Sequence, residues 1–205
     1  MTASSVRFWF HDGVTPLAAA LAPPASAVIE CIPAGTKPPS SKFKNGEANS
    51  LVLRVLGPTA SREPVAQLFS SALAQRIAVN ERLSERLGIA LQEAIANALV
   101  HGNLELTLRA GDGGHDLDAY YLEIERRLGV SPWRERSISL RASWNAEWLT
   151  VDVEDEGQVW EEPDLAAGEP ADRPHGRGFL MMEAVTDFLS VNSRVHRVTL
   201  GFKWS

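Results

Sequence analysis

Leu91-Gln-Glu-Ala-Ile-Ala-Asn-Ala-Leu-Val-His-Gly-Asn103 is the stretch from which the fold can be read. Leu87, Leu91, Ile95 and Ala98 recur at helical spacing, the mark of a helix that lays one apolar face on a core. The pattern predicts a helix from about Leu83 to His101, stopped at Gly102, since glycine is a common C-terminal signal. Glu93, Asn97 and His101 recur every four residues and share a second face. A solvated polar side is the plain reading of such a stripe. Asn is nevertheless a poor mid-helix residue, because its amide competes for backbone hydrogen bonds. A carboxylate and an amide oxygen one turn apart are also the hard donors and bases that Mg2+ and phosphate chemistry uses.

Working outward, Leu51-Val-Leu-Arg-Val-Leu56 reads as a strand ended by Gly57-Pro58. Ser61 is a plausible N-cap and Pro64 is tolerated in a first turn, which predicts a helix reaching about residue 78. Downstream, Gly111-Asp-Gly-Gly114 breaks the chain and a helix from Asp118 to Leu128 ends at Ser131-Pro132. Strand-like runs follow at Ser137 to Trp144, Trp148 to Glu154 and Val195 to Trp204, with Asn145-Ala-Glu147 as a tight hairpin connection. Glu156 to Pro174 is a loop rich in Pro, Gly, Ala and acids, and Gly178 to Leu189 reads as a helix. This order predicts an α+β, two-layer sandwich with helices on one face of a mostly antiparallel sheet.

Before this domain, residues 6–10 and 27–32 read as short strands flanking a short helix at 17–22, and 33–49 as a linker or exposed loop. The expected organisation is an N-terminal extension (1–49) of unknown role, then one domain (50–205) with an insertion at about 104–136. The apolar start, Phe8-Trp9-Phe10, can pair with the main sheet of the same molecule or with another chain.

Two further motifs carry chemistry. In Val151-Asp-Val-Glu-Asp-Glu-Gly157 a strand runs straight into Asp-x-Gly. An aspartate at a strand end can accept a hydrogen bond from an exocyclic amine, and the glycine lets the backbone turn closely beneath a flat ring. By itself Asp-x-Gly is an ordinary turn signal. His175-Gly-Arg-Gly-Phe-Leu-Met-Met182 is a glycine-bearing loop entering a helix, where phosphate oxygens can approach backbone N–H groups. It is neither a dinucleotide fingerprint, since Met181 takes the third glycine's place, nor a P-loop, which ends in Gly-Lys-Ser/Thr.

The bulk numbers set bounds. The chain has 205 residues, 44% hydrophobic and 22% charged, close to a soluble globular average. No apolar run is long enough to span a membrane, and the first thirty or so residues lack the basic start and unbroken core of a signal peptide. A single cysteine, Cys31, allows no internal disulfide framework and fits a reducing cytoplasm. The net charge of −6 argues mildly against nucleic-acid binding, which favours a basic patch. The five histidines show no paired ligand spacing, and one cysteine cannot build a zinc site. No Gly-x-Ser-x-Gly elbow points to a hydrolase.

Taken in order, a Glu-x-x-x-Asn helix, a strand ending in Asp-x-Gly, a loop, and Gly-x-Gly opening a helix resemble the gyrase–chaperone–histidine-kinase–MutL (GHKL) ATPase superfamily. The chain is most similar to its bacterial anti-sigma-factor serine/threonine kinases and related stand-alone ATP-binding regulators. Glu93 to Glu105 resembles their N box and Pro174 to Met182 their G2 box. The insertion ending in Ser131-Pro-Trp-Arg-Glu-Arg136 is similar to a segment in many of them. The resemblance covers about residues 50–204.

It implies a Bergerat-type ATP-binding fold, with ATP and Mg2+ as cofactors. Glu93 would be the general base and Asn97 the Mg2+ ligand. Asp155 would bind the adenine amine above Gly157. Gly176 and Gly178 would hinge the lid and face the phosphates, with Arg177 available to them. Thr199 would support the adenine pocket through its hydroxyl, and His101 and Asn103 would line the site. The implied reaction is phosphoryl transfer from MgATP to a serine of a small anti-anti-sigma (STAS-type) protein. A sigma factor is a further implied partner, and homodimerisation an expectation. The alternatives are a non-catalytic regulator that sequesters a partner and another GHKL-type signalling module. Two departures stand out: Val159 takes the place of a frequent further glycine, and the segment between Gly157 and Gly176 is short and holds no lysine.

Overall fold

The computed structural model describes residues 5–10, 14–31, 49–106, 117–158 and 177–203. Their elements run β1 (Ser5–Phe10), α1 (Leu17–Leu21), β2 (Ala25–Cys31), β3 (Ser50–Leu56), α2 (Gly57–Arg62), α3 (Val65–Ala74), α4 (Glu81–Asn97), α5 (Leu117–Gly129), β4 (Ser137–Trp144), β5 (Trp148–Glu154), α6 (Arg177–Val185), β6 (Phe188–Asn192) and β7 (Arg197–Lys203). A π-helical turn, Ala98–Asn103, extends α4. The strands form one seven-stranded sheet in the order β1-β2-β3-β4-β5-β7-β6. The pairs β1–β2 and β2–β3 are parallel, and the other four are antiparallel. The fold is α+β with a mostly antiparallel open sheet, as the order of elements predicts.

Alternation along the strands separates the two faces. On one face, Leu53 opposes Leu140, Leu140 opposes Val153 and Val153 opposes Val198. These side chains are buried in a core shared with Leu87, Leu91 and Ile95 of α4 and with Phe69 and Leu73 of α3. Each such leucine stabilises the fold by roughly 1.5–3 kcal/mol. On the other face the register runs Val52, Arg141, Asp152, Thr199 and Ser190. Half-buried polar side chains dominate there, as in the Arg197–Glu154 pair at 2.7 Å.

The N-terminal strands belong to this sheet. Trp9 of β1 is 4% exposed and packs in the core with Leu17 and Leu21 of α1, and its indole N–H donates to the Thr15 carbonyl at 2.8 Å. Val6, Phe8 and Phe10 alternate outward and are exposed. Of the two pairings open to Phe8-Trp9-Phe10, the same-molecule one is formed, with β1 as an edge strand.

The hairpin at Asn145 is as expected. Its side-chain oxygen accepts from the Glu147 and Trp148 amides at 2.8 and 2.9 Å.

Several boundaries differ from the sequence reading. Residues 57–74 make two helices rather than one capped by Ser61. Pro64 disfavours helical geometry at the residue before it, and Glu63 is extended (φ −95, ψ 145). Ser61 lies inside α2. The central helix starts earlier, at Glu81, because Asn80 caps it by accepting from the Leu83 amide at 2.8 Å. The last helix stops at Val185 rather than Leu189, and Phe188–Asn192 is a strand. The final strand begins at Arg197, after a 3-10 turn at Ser193–Val195 and a left-handed His196. Residues 32–48, which hold nearly all of the linker, 107–116 within the insertion, and 159–176, which hold most of the following loop, lie outside the described residues.

Candidate functional site

The C-terminal half of α4 meets both glycine-bearing motifs. The helix loosens at its end, where the Leu104 amide donates back five residues to the Leu99 carbonyl at 2.8 Å. Single-turn π segments of this kind occur frequently at functional sites. Here the turn brings Gly102 flat against the Asp155 carboxylate. A side-chain carbon on Gly102 would lie 2.6 Å from Asp155 Oδ2 and closer still to its Cγ. Gly157 packs on the same spot. Its own side-chain carbon would lie 2.9 Å from Gly102 Cα and closer to the Gly102 carbonyl. At Gly157 a side chain would collide with backbone, which is the physical reason for the glycine of Asp-x-Gly, whereas at Gly102 it would have to displace the Asp155 carboxylate.

Asp155 continues the inward alternation of Val151 and Val153, so its carboxylate turns to the helix side of the sheet. Its side chain is 7% exposed. Oδ1 accepts from the Gly157 amide at 2.8 Å, closing the turn. Burial raises its carboxyl from 3.8 to about 6. The Gly157 hydrogen bond and the nearby His196 and Arg136 charges oppose that rise, and Glu156 adds to it.

The turn is braced by residues on three other segments. Buried Asn103 accepts from the Glu156 amide through Oδ1 at 2.8 Å, and its carbonyl accepts from Arg136 Nη1 at 2.6 Å. Arg136 also pairs with Glu105 at 2.7 Å. The Glu156 carboxylate accepts from Arg54 Nη2 at 2.6 Å and from the Ser137 amide at 2.8 Å. Asn103 is 0% exposed, and its Nδ2 has no hydrogen-bond partner among the described residues. Such a donor costs about 1–3 kcal/mol when left unmade, so this amide is held available at the expense of stability.

One turn earlier on α4, Glu93 and Asn97 face the start of α6. A side-chain carbon on Gly178 would lie 3.0 Å from Glu93 Oε2 and 3.1 Å from Asn97 Nδ2. The N-terminus of α6 thus stands over a carboxylate and an amide, where its field favours negative charge. Among the described residues no group of three or more His, Cys, Asp or Glu side chains is placed to hold a metal ion. A cation here would need oxygens from its ligand in addition to Asn97.

The remaining sequence-derived site residues fall into three groups. Glu93, Asn97 and Gly178 come together, as do Asp155 and Gly157, at successive positions along α4. His101 falls within the π turn, and its Nδ1 is bonded to the Leu106 carbonyl at 2.8 Å. Thr199 is not brought to the site. It lies between Val198 and Leu200, which are buried on the helix side, and its hydroxyl donates to Asp152 Oδ1 at 2.6 Å on the opposite face. The expected adenine-supporting role of Thr199 is therefore withdrawn, because strand alternation points it away from Asp155. Gly176 and the Arg177 side chain lie outside the described residues.

Sequence reasoning missed His196, which stands beside Asp155. Its Nδ1 is 3.6 Å from Asp155 Oδ1, and its carbonyl accepts from the Asp155 amide at 3.2 Å. Nothing local in Arg194-Val-His-Arg197 signals this placement.

Chemically, the arrangement offers a buried carboxylate that can accept from an amine. About one helical turn away it offers a carboxylate–amide pair beneath a helix N-terminus. Comparison with protein-family models and with curated proteins finds no significant match for the chain.

Proposed function

We propose that this chain is a GHKL-type ATP-binding protein with a Bergerat-type fold, acting as a serine-protein kinase on an anti-anti-sigma (STAS-type) partner. One observation carries the reading. The same helix, α4, presents Glu93 and Asn97 to Gly178, and through its π turn presents Gly102 to Asp155 and Gly157. Three motifs separated by up to about eighty residues meet in the order in which adenine, metal and phosphates follow one another in MgATP.

In this reading Asp155 accepts from the adenine amine and Gly157 and Gly102 form the surface beneath the base. Asn97 would hold Mg2+, which would supply charge neutralisation at the phosphates. The N-terminus of α6 at Gly178 faces the phosphate oxygens, as helix N-termini do for anions. Glu93 takes the proton of the attacking serine hydroxyl. Its proximity to Asn97 places base and phosphate together, and catalysis then rests on positioning and electrostatics.

The test is ATP titration of the purified protein with and without Mg2+, by calorimetry. Asn97→Ala is expected to weaken Mg2+-dependent binding by at least about tenfold, as the loss of one contact to a charged group does. Glu93→Ala is expected to keep ATP binding and abolish transfer to a serine-bearing STAS partner. Binding without transfer in the wild-type protein would favour the partner-sequestering alternative, and no binding at all would remove the nucleotide reading. Thr199→Val is expected to leave ATP affinity within about twofold of wild type, since its hydroxyl serves Asp152. A larger loss in the same titration would return Thr199 to the site.

A further inference from the structure

The His196–Asp155 contact carries an inference that rests on the nucleotide reading for its functional meaning but not for its test. His196 occupies a left-handed conformation (φ 52, ψ 46) directly after the 3-10 turn at Ser193–Val195. For a non-glycine residue this conformation is uncommon and costs about 1 kcal/mol or more. It persists where the surroundings hold it, and here they do. The His196 amide donates to the Ser193 carbonyl at 3.3 Å, and the His196 carbonyl accepts from the Asp155 amide at 3.2 Å. The backbone pairing with Asp155 and the left-handed turn together aim the ring at the carboxylate.

The ring's Nδ1 is buried and has no hydrogen-bond partner among the described residues, 3.6 Å from Asp155 Oδ1. The other charged groups around Asp155 are already engaged. Arg136, leading into β4, is held by Glu105 and the Asn103 carbonyl. Glu156, in the same turn, is held by Arg54 and the Ser137 amide. Arg197, next to His196, is paired with Glu154 on the far face. From the π turn, uncharged Gly102 lies against the carboxylate. His196 is thus the charged or chargeable neighbour of Asp155 whose polar atom is still to be satisfied.

We propose that His196 is a positioning residue for Asp155. Its Nδ1–H closes the 3.6 Å gap to Oδ1, keeps the carboxylate ionised and leaves Oδ2 to accept from the ligand's exocyclic amine. The direction agrees with the favourable effect of the His196 charge on the ionised form of Asp155. A carboxylate that stays ionised prefers an amine donor at that position. A protonated carboxyl would donate instead and would suit a carbonyl, as in hypoxanthine. His196 therefore sets selectivity for a 6-amino over a 6-oxo purine.

The test follows the side-chain carboxyl carbon of Asp155 by NMR through a pH titration of the free protein. His196→Asn is the informative variant, because Asn tolerates the left-handed region and carries no charge. It is expected to raise the Asp155 midpoint by about half a pH unit or more, and an unchanged midpoint would overturn the pairing. Should that variant not fold, the reciprocal measurement decides. A contact between two side chains is felt by both, so Asp155→Asn must move the His196 Nδ1 resonance at a fixed pH, and an unmoved resonance overturns the proposal.

The functional arm compares ATP with inosine triphosphate in wild type and His196→Asn across the same pH range. The ATP preference is expected to fall by about threefold or more in the variant, with its pH profile shifted in step with Asp155. A purely structural role for His196 would weaken both nucleotides equally and leave the profile in place, and that result counts against the proposal. Failure of the wild-type protein to bind ATP would remove the nucleotide reading, while the NMR titration would still decide whether the two side chains are coupled.

Discussion

Asp155→Asn is expected to make the free protein more stable at neutral pH while sharply weakening its binding of MgATP. The carboxyl is raised by burial to about 6 from 3.8, so the folded protein holds that proton more tightly than the unfolded chain does. Stability tied to the protonated form is complete below the unfolded value of 3.8, and it is lost as pH rises through about 6. Above that window the buried carboxylate is ionised and disfavours folding, by an amount on the order of 1–3 kcal/mol.

Asn keeps an oxygen to accept from the Gly157 amide and carries no charge, so it removes the penalty and retains the turn. Thermal denaturation at about pH 7.5 should show a rise of several degrees, given about 2–4 °C per kcal/mol for a chain of this size. The gain should shrink between about pH 6 and pH 4 and vanish below it. ATP affinity should fall by about a hundredfold, because the amide presents a donor where the amine needs an acceptor. A variant that is less stable than wild type at neutral pH would show that hydrogen bonding, not burial, dominates at Asp155. The opposite signs of the two effects separate a site residue from a structural one.

How much of this was legible beforehand follows from what each pattern encodes. The helix at 81–97 and strands β3, β4 and β5 were readable because burial on one side imposes a period on the sequence. Leu87, Leu91 and Ile95 keep the helical period, and Leu149, Val151 and Val153 the strand period. The resemblance expects Glu93, Asn97, Asp155, Gly157 and Gly178 near one another, and the fold brings Glu93 and Asn97 to Gly178 and brings Asp155 and Gly157 to Gly102. β6 was not readable, since Phe188 to Asn192 is an edge strand with no fully buried position, and its residues continue the apolar content of α6. Thr199 shows the opposite failure: the resemblance implied a role in the adenine pocket, while strand alternation turns its hydroxyl to Asp152 on the other face. The bracing contacts of Asn103, a residue expected only to line the site, and the placement of Arg136 and His196 depend on a π turn, a salt bridge and a left-handed residue. None of these leaves a periodic trace in the sequence.

Gly157→Ala and Gly102→Ala are expected to fail in different ways, although both residues touch the same point. At Gly157 the added carbon meets the backbone of Gly102, 2.9 Å from its Cα and nearer to its carbonyl group. Backbone fixed by the π turn and by the Glu105 amide bonded to the Gly102 carbonyl at 3.1 Å has little freedom to yield. The Asp155–Gly157 turn must move off α4 instead. That displacement breaks the Asn103–Glu156 bond and disturbs the Glu156 contacts to Arg54 and Ser137.

Overpacking costs about 1–3 kcal/mol, and the broken bonds about 1 kcal/mol each, so Gly157→Ala should lose roughly 3 kcal/mol or more in urea denaturation. At Gly102 the added carbon meets the carboxyl group of Asp155, a side-chain end that can rotate away. Gly102→Ala should therefore lose less stability, and expelling the buried carboxylate partly offsets the strain. Its ATP affinity should nonetheless fall as far as that of Asp155→Asn, because the acceptor has left the site. Equal stability losses in the two variants would mean that the π turn itself gives way at Gly102. Normal ATP binding by Gly102→Ala would mean that Asp155 is not the group that reads the base.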